Sequence, residues 1–183
     1  MAYQSQDYYH RLALFQVLNL LQKPYGYLVY VQLDVIEAMA NILVSLNMDC
    51  VEFLDLIFPP LLFVMDVCGE IIPNLRSTIF IKLTEIVKHI RYNAKEHIEH
   101  FKEIIYRNWK HKDFQEEIIT LIEYLAISIR EEFEPYLELF LPMLLKEFGK
   151  PITKSILKSF RYFGFSLEKY LYLVIPSIVF HLK

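Results

Sequence analysis

The stretch EPYLELFLPMLLKEF, Glu134 to Phe148, decides the fold. It reads as an amphipathic helix, yet Pro142 stands in its middle. An interior proline removes a backbone hydrogen bond and clashes with the carbonyl one turn back, at a cost of about 3 kcal/mol. A single such break would argue against a helix. The phrase recurs, however: FLDLIFPPLL (Phe53 to Leu62) and YLYLVIPSIV (Tyr170 to Val179) align without gaps on YLELFLPMLL (Tyr136 to Leu145). All three read aromatic-Leu-x-x-apolar-apolar-Pro-x-apolar-apolar, so the kink belongs to a repeating unit. If the prolines face outward, water can satisfy the carbonyls they free, and the bend can improve packing on a neighbouring helix.

Pro142 and Pro176 lie 34 residues apart, and Pro59 and Pro142 lie 83 apart, near two periods, with Tyr106 of HFKEIIYRNW at the intermediate place. A period of about 34 to 47 residues is that of helical repeat arrays, in which a helix pair buries its apolar face only by stacking on the next. Uniform 34-residue length and small packing residues would mark tetratricopeptide units; here the length varies and both helices carry bulky residues. The pattern predicts an all-α HEAT-repeat α-solenoid, a single segment over 1–183 with about four helix pairs and one leading helix. The leading helix falls near 8–21 and the units near 28–67, 74–109, 114–148 and 151–182. Apolar residues at i, i+3/4 and i+7, such as Val35, Met39, Ile42, Leu43 and Leu46, or Ile118, Ile122, Leu125 and Ile129, fit helices, and strand alternation is missing. Asp49 with Glu52, Asn93 with Glu96 and Asp113 with Glu116 have the spacing of capping boxes at helix starts. Asn47, Asn93, Gly149 and Gly164 suit left-handed helix ends, and Pro151 suits a first turn.

Composition narrows the function classes. With 55% hydrophobic and 22% charged residues the chain is a folded one. The apolar runs Leu56 to Met65 and Leu171 to Phe180 contain proline and fall short of the roughly 18 to 20 residues that cross a bilayer. The amino-terminal MAYQSQDYYHR has neither a secretory nor a transit pattern, so a cytosolic or nuclear compartment is expected. Cys50 and Cys68 lack the spacing of a zinc or redox pair and read as buried thiols. A net charge of -3 gives no global reason to bind nucleic acid.

Catalytic and cofactor motifs are not found. The four glycines, Gly26, Gly69, Gly149 and Gly164, are isolated, which leaves no phosphate-cradling loop. The protein-kinase signature set and the nucleophile elbow are missing. His97 and His100 stand three apart in KEHIEHF, but no third metal ligand accompanies them, and exposed polar positions on a helix explain the segment. Glu131, Glu132 and Glu134 suit the positive end of a following helix. We therefore expect no catalytic residue, no metal and no cofactor. Two basic features remain. Lys150, Lys154, Lys158 and Arg161 recur every three or four residues opposite Ile152, Ile156, Phe160 and Phe163, a stripe that could dock an acidic partner or simply be a solvated face. YRNWKHK, Tyr106 to Lys112, could stack single-stranded nucleic acid, but without a sheet platform or basic excess Trp109 is better read as packing between repeats.

The phrases LNMDCVEFLDLIFPPLLFVMDVC, EEFEPYLELFLPMLLKEF and YFGFSLEKYLYLVIPSIVFHL, in this order, resemble the amino-terminal HEAT-repeat region of the target of rapamycin (TOR) kinases, a serine/threonine family related to phosphatidylinositol 3-kinases. The resemblance extends over nearly the whole chain and is strongest from Gln115 to Leu182. It departs at GKPITKS, shorter than the family's loop there, and in Met1 to Leu28, which is only weakly similar. It implies a segment without the kinase domain, so the family's kinase residues map to no position here. It further implies a cytoplasmic scaffold, reaching the nucleus or organelle surfaces through the parent complex. The implied role is nutrient and growth signalling, through Raptor- or Rictor-like subunits and a second TOR protomer. The rival class is an importin-like transport adaptor, whose acidic ridges and Trp-Asn arrays are not evident.

Overall fold

The protein, described here by a computed structural model over residues 2–21, 31–72 and 74–181, is built from helices. Among the described residues there are nine α-helices and no strand: α1 (Ala2–Leu21), α2 (Gln32–Leu46), α3 (Leu54–Cys68), α4 (Leu75–Ile90), α5 (Ile98–Asn108), α6 (Gln115–Ile129), α7 (Glu134–Leu145), α8 (Thr153–Ser159) and α9 (Leu171–His181). The helix start expected at Leu28 and the end expected at Leu182 lie outside the described residues.

The helices form two rows. Helices α2, α4, α6 and α8 lie side by side in chain order, with α1 against α2 and α3. In the second row, Phe58 of α3 meets Phe101 of α5 edge to face at 5.0 Å between ring centroids, and Tyr106 of α5 stacks on Phe140 of α7 at 5.8 Å. The core runs continuously between the rows, from Leu14 through Phe58, Phe80, Phe101 and Phe140 to Val174. Side-chain bonds across the stack join residues 35 to 42 positions apart, as expected when each unit leans on the next: Arg11 with Glu52, Asp55 with His97, Asp66 with Arg107, Ser77 with Glu117, Tyr92 with Glu132 and Glu134 with Lys169.

The prolines sit inside α3, α7 and α9, and the helices continue through them. Pro59, Pro142 and Pro176 are exposed. The residues one turn back whose carbonyls lose a partner, Asp55, Leu56, Glu138 and Tyr172, are exposed as well, so water can replace the missing donor. Beside the freed Glu138 carbonyl, α7 is also tied to α5. The Tyr106 hydroxyl donates to the Leu139 carbonyl at 2.8 Å, three residues before Pro142. Tyr106→Phe removes this donor while keeping the stacked ring, and should cost about 1 kcal/mol in chemical denaturation. An unchanged midpoint would mean that water serves the Leu139 carbonyl equally well.

The helix starts differ from the capping boxes read in the sequence. Single-turn and two-turn 3₁₀ segments, Asn47–Phe53, Arg91–His97 and Lys112–Phe114, precede α3, α5 and α6. No side-chain cap bond forms at these starts, because the 3₁₀ turns run directly into the α-helices and their backbone carbonyls take up the first donors. Gly149 and Gly164 have positive φ, as expected. Asn93 does not end a helix; it lies in the Arg91–His97 segment, and Arg91 takes the positive φ instead.

Candidate functional site

The basic stripe is divided by its local geometry. Lys154 and Lys158 project from α8, Lys150 precedes that helix and Arg161 lies in the 3₁₀ segment Phe160–Tyr162; all four are exposed. The tighter 3₁₀ winding turns Arg161 away from the line an α-helix would give. Its guanidinium lies over the Tyr162 ring at 4.5 Å and donates to the Tyr162 hydroxyl. Lys150 is paired with Glu147 at 2.7 Å. Glu123 of α6 faces this region: burial pushes its carboxyl above the ordinary range, and Lys158 and Arg161 partly offset the rise. Among the described residues Lys154 and Lys158 form no ion pair within bonding distance, which leaves α8 the most open part of the stripe.

The two histidines are not the exposed polar pair that the sequence suggested. His97 is 5% exposed, and its Nδ1–H donates to the Asp55 carboxylate at 2.9 Å, while its Nε2 is buried without a partner. His100 stacks on Phe58 at 4.9 Å and holds its Nε2 3.5 Å from the same carboxylate. Both rings therefore bind the start of α5 and the 3₁₀ turn before it to α3. Among the described residues no group of three or more His, Cys, Asp or Glu is placed to hold a metal ion. Burial pushes the Cys50 thiol up to about 11 and raises that of Cys68, so neither is a ready nucleophile. Trp109 packs, half-buried, against the core, and its carbonyl accepts from Gln115 at 2.9 Å.

A second basic site was not read from the sequence. At the carboxyl-terminal ends of α4 and α6 a groove of about 660 Å³ is lined by Lys88, Arg91, Tyr92, Tyr124, Ile127, Ser128 and Arg130. Lys88 Nζ lies 4.2 Å from the Tyr124 ring centroid. Arg91 (φ 50°, ψ −126°) and Arg130 (φ 52°, ψ −121°) both follow the last turn of their helices in a backbone region that favours glycine. Gly164, after the third helix of the series, has φ 53°. Such a conformation costs an ordinary side chain on the order of 1–3 kcal/mol. A cation near a helix carboxyl terminus returns about 0.3–1 kcal/mol. The helix dipole alone does not account for arginine at these two positions. Their one sequence signal is the repeated Ile-Arg at Ile90-Arg91 and Ile129-Arg130, each closing an apolar helix.

Among the described residues no helix is long and apolar enough to cross a membrane. The model of a serine/threonine-protein kinase mTOR domain matches residues 1–91. The chain is 27% identical to the serine/threonine-protein kinase mTor of Drosophila melanogaster over 180 residues, covering 94% of this chain and 7% of that protein. It is 26% identical to TOR2 of Saccharomyces cerevisiae over 96% of the chain and 7% of the relative, and 22% identical to TOR of Arabidopsis thaliana over 96% and 8%. The chain thus spans less than a tenth of the length of these relatives. Among solved structures, importin beta superposes with a TM-score of 0.73 at 19% identity, over 93% of this chain and 22% of that one, which shows a shared HEAT-solenoid fold. Along nearly its whole length this chain is thus similar to TOR kinases, over a segment that does not include the kinase domain, and its fold is a HEAT-repeat solenoid.

Proposed function

We propose that this chain is a non-catalytic protein-interaction scaffold of a TOR kinase, supporting complex assembly and the binding of Raptor- or Rictor-like subunits in cytoplasmic growth and nutrient signalling. The observation that carries this reading is the match to TOR kinases over 94–96% of a chain whose fold is a helical stack with one continuous core. Such stacks present long rows of exposed side chains rather than an enclosed reaction site. Lys150, Lys154, Lys158 and Arg161 are the proposed partner contact, with Lys154 and Lys158 the residues most open to an acidic surface. An importin-like adaptor role has only the shared fold behind it.

The test is the double charge reversal Lys154→Glu with Lys158→Glu in the full-length parent kinase. Exposed charges contribute about 0–1 kcal/mol each, so the melting behaviour should barely change. Recovery of a Raptor- or Rictor-like subunit, or of the second protomer, should fall, and what remains should lose part of its salt dependence. Unchanged recovery of every subunit would reduce the stripe to a solvated face. Loss of folding would place the two lysines in buried ion pairs.

A further inference from the structure

We infer that the groove between the ends of α4 and α6 is a docking site for an extended acidic peptide segment, held through Arg91, Arg130 and Lys88. The inference is consistent with the scaffold role but concerns a different surface from the α8 stripe, and the two can fail separately.

The three cations converge on one groove, and no carboxylate lines it. Among the described residues none of them has an acidic partner; the lysine rests on the Tyr124 ring. Of the two carboxylates that follow Arg130, Glu131 lines the next hollow and Glu132 is occupied elsewhere. Glu132 accepts from the Tyr92 hydroxyl at 2.9 Å and from Lys95 at 2.7 Å, and these bonds hold its carboxyl below the ordinary range. The groove is thus a local positive field on a chain of net charge -3. Its walls are apolar and aromatic, with Ile127 43% and Tyr92 51% exposed. Concentrated positive charge beside apolar surface favours a ligand that brings carboxylates and an apolar side chain together.

The repeat geometry sets the form of that ligand. Arg130 and Ile127 also line the next hollow along the stack, with Phe163, Gly164 and Ser166, so the path continues past the ridge that carries Arg130. Neighbouring packed helices are about 8–10 Å apart. A polyproline-II segment returns a side chain to the same face every third residue, a rise of about 9 Å, and leaves its backbone unpaired. Acidic residues at every third position would meet Arg91 and Arg130 in turn, with an apolar residue over Ile127. In the next unit Gly164 stands where the arginines stand, and Glu131 lines that hollow, which ends the basic series there.

The test uses the full 183-residue chain and a fluorescein-labelled peptide in which glutamates recur every third residue with leucine and proline between them. Fluorescence polarisation should show binding about tenfold tighter than for the glutamine counterpart, weakening with salt. The double variant Arg91→Gly with Arg130→Gly should lose about tenfold in affinity, while its Tm stays level or rises, because glycine adopts both backbone conformations without strain. Arg91→Gln with Arg130→Gln keeps the native backbone demand, removes the charge, and should lose binding equally. The Lys154→Glu, Lys158→Glu chain should bind the peptide as the unaltered chain does. Equal affinity for the glutamate and glutamine peptides, or full affinity in the folded glycine or glutamine variants, would overturn the proposal. Binding of a phosphoserine peptide but not of the glutamate peptide would overturn the carboxylate assignment.

Discussion

Phe133→Ala is expected to cost about 3–5 kcal/mol, the usual range for deleting a fully buried phenylalanine. Phe133 is 1% exposed, and its ring centroid lies 6.0 Å from that of Phe140 and 5.9 Å from that of Phe163. It therefore joins α7 to the segment that follows α8. In a helical repeat, stability is the sum of unit terms and nearest-neighbour interfaces, so a cavity at one interface also weakens cooperation across it. Urea denaturation should show the loss, and amide exchange should accelerate in α8 and α9 more than in α2 to α4. Tyr172→Ala is the reference. At 69% exposure it removes surface and should stay within about 0.5 kcal/mol. A loss below about 1 kcal/mol at Phe133, or uniform acceleration of exchange, would show that this aromatic junction does not couple the units.

The second large effect is expected where α3 meets α4. Gly69 has an ordinary helical φ of −64°, so its value lies in space rather than in backbone freedom. A Cβ there would sit 2.3 Å from the Met65 carbonyl oxygen and 2.7 Å from Arg76 Nε. Arg76 fills that space because it closes the end of α3. Its guanidinium donates to the carbonyls of Gly69 (3.3 Å) and Met65 (3.4 Å) and to the Glu70 carboxylate (2.6 Å). Arg76→Ala should cost about 1.5–3 kcal/mol, the range for hydrogen bonds to a charged group. Gly69→Ala should cost about 2 kcal/mol or more, by forcing the Met65 carbonyl to shift and driving the guanidinium out. Because both act through one space, the double variant should lose less than the two single losses together. Strict additivity would mean that the glycine and the arginine act independently.

The same cap gives a pH dependence. The hydrogen bond from Arg76, followed by its charge, holds the Glu70 carboxyl below the ordinary carboxylate range. A lowered folded-state value means that its contribution is present at neutral pH and is lost as pH falls through that value. The acid limb of the stability profile should therefore flatten in Arg76→Ala.

Much of the fold was legible in the chain itself. The aromatic-Leu-Pro phrase is a local instruction, because its 3.6-residue apolar spacing and its outward proline are set by neighbours within two turns, and α3, α7 and α9 formed where it lies. What the phrase could not say is how deeply each copy is buried. Leu54 and Leu137 are fully buried, whereas their counterpart Leu171 is 40% exposed, and Ile175 is 53% exposed where Phe58 and Leu141 are covered. The difference comes from which neighbour each helix packs against, and burial is a property of pairs of elements. The capping boxes misled for a related reason: a side-chain cap matters only where backbone donors are orphaned, and the 3₁₀ lead-ins left none for Asp49, Asn93 or Asp113 to satisfy. The basic stripe was visible because its residues share one short segment. The groove was not, since Lys88 and Arg91 meet Tyr124 and Arg130 only when α4 and α6 lie side by side. By itself the sequence determined the helices, their repeat and the outward prolines, all of which rest on interactions within a few residues. Tertiary structure alone decided which charges converge and which of them are neutralised, because electrostatic partners are chosen by distance in space and not along the chain.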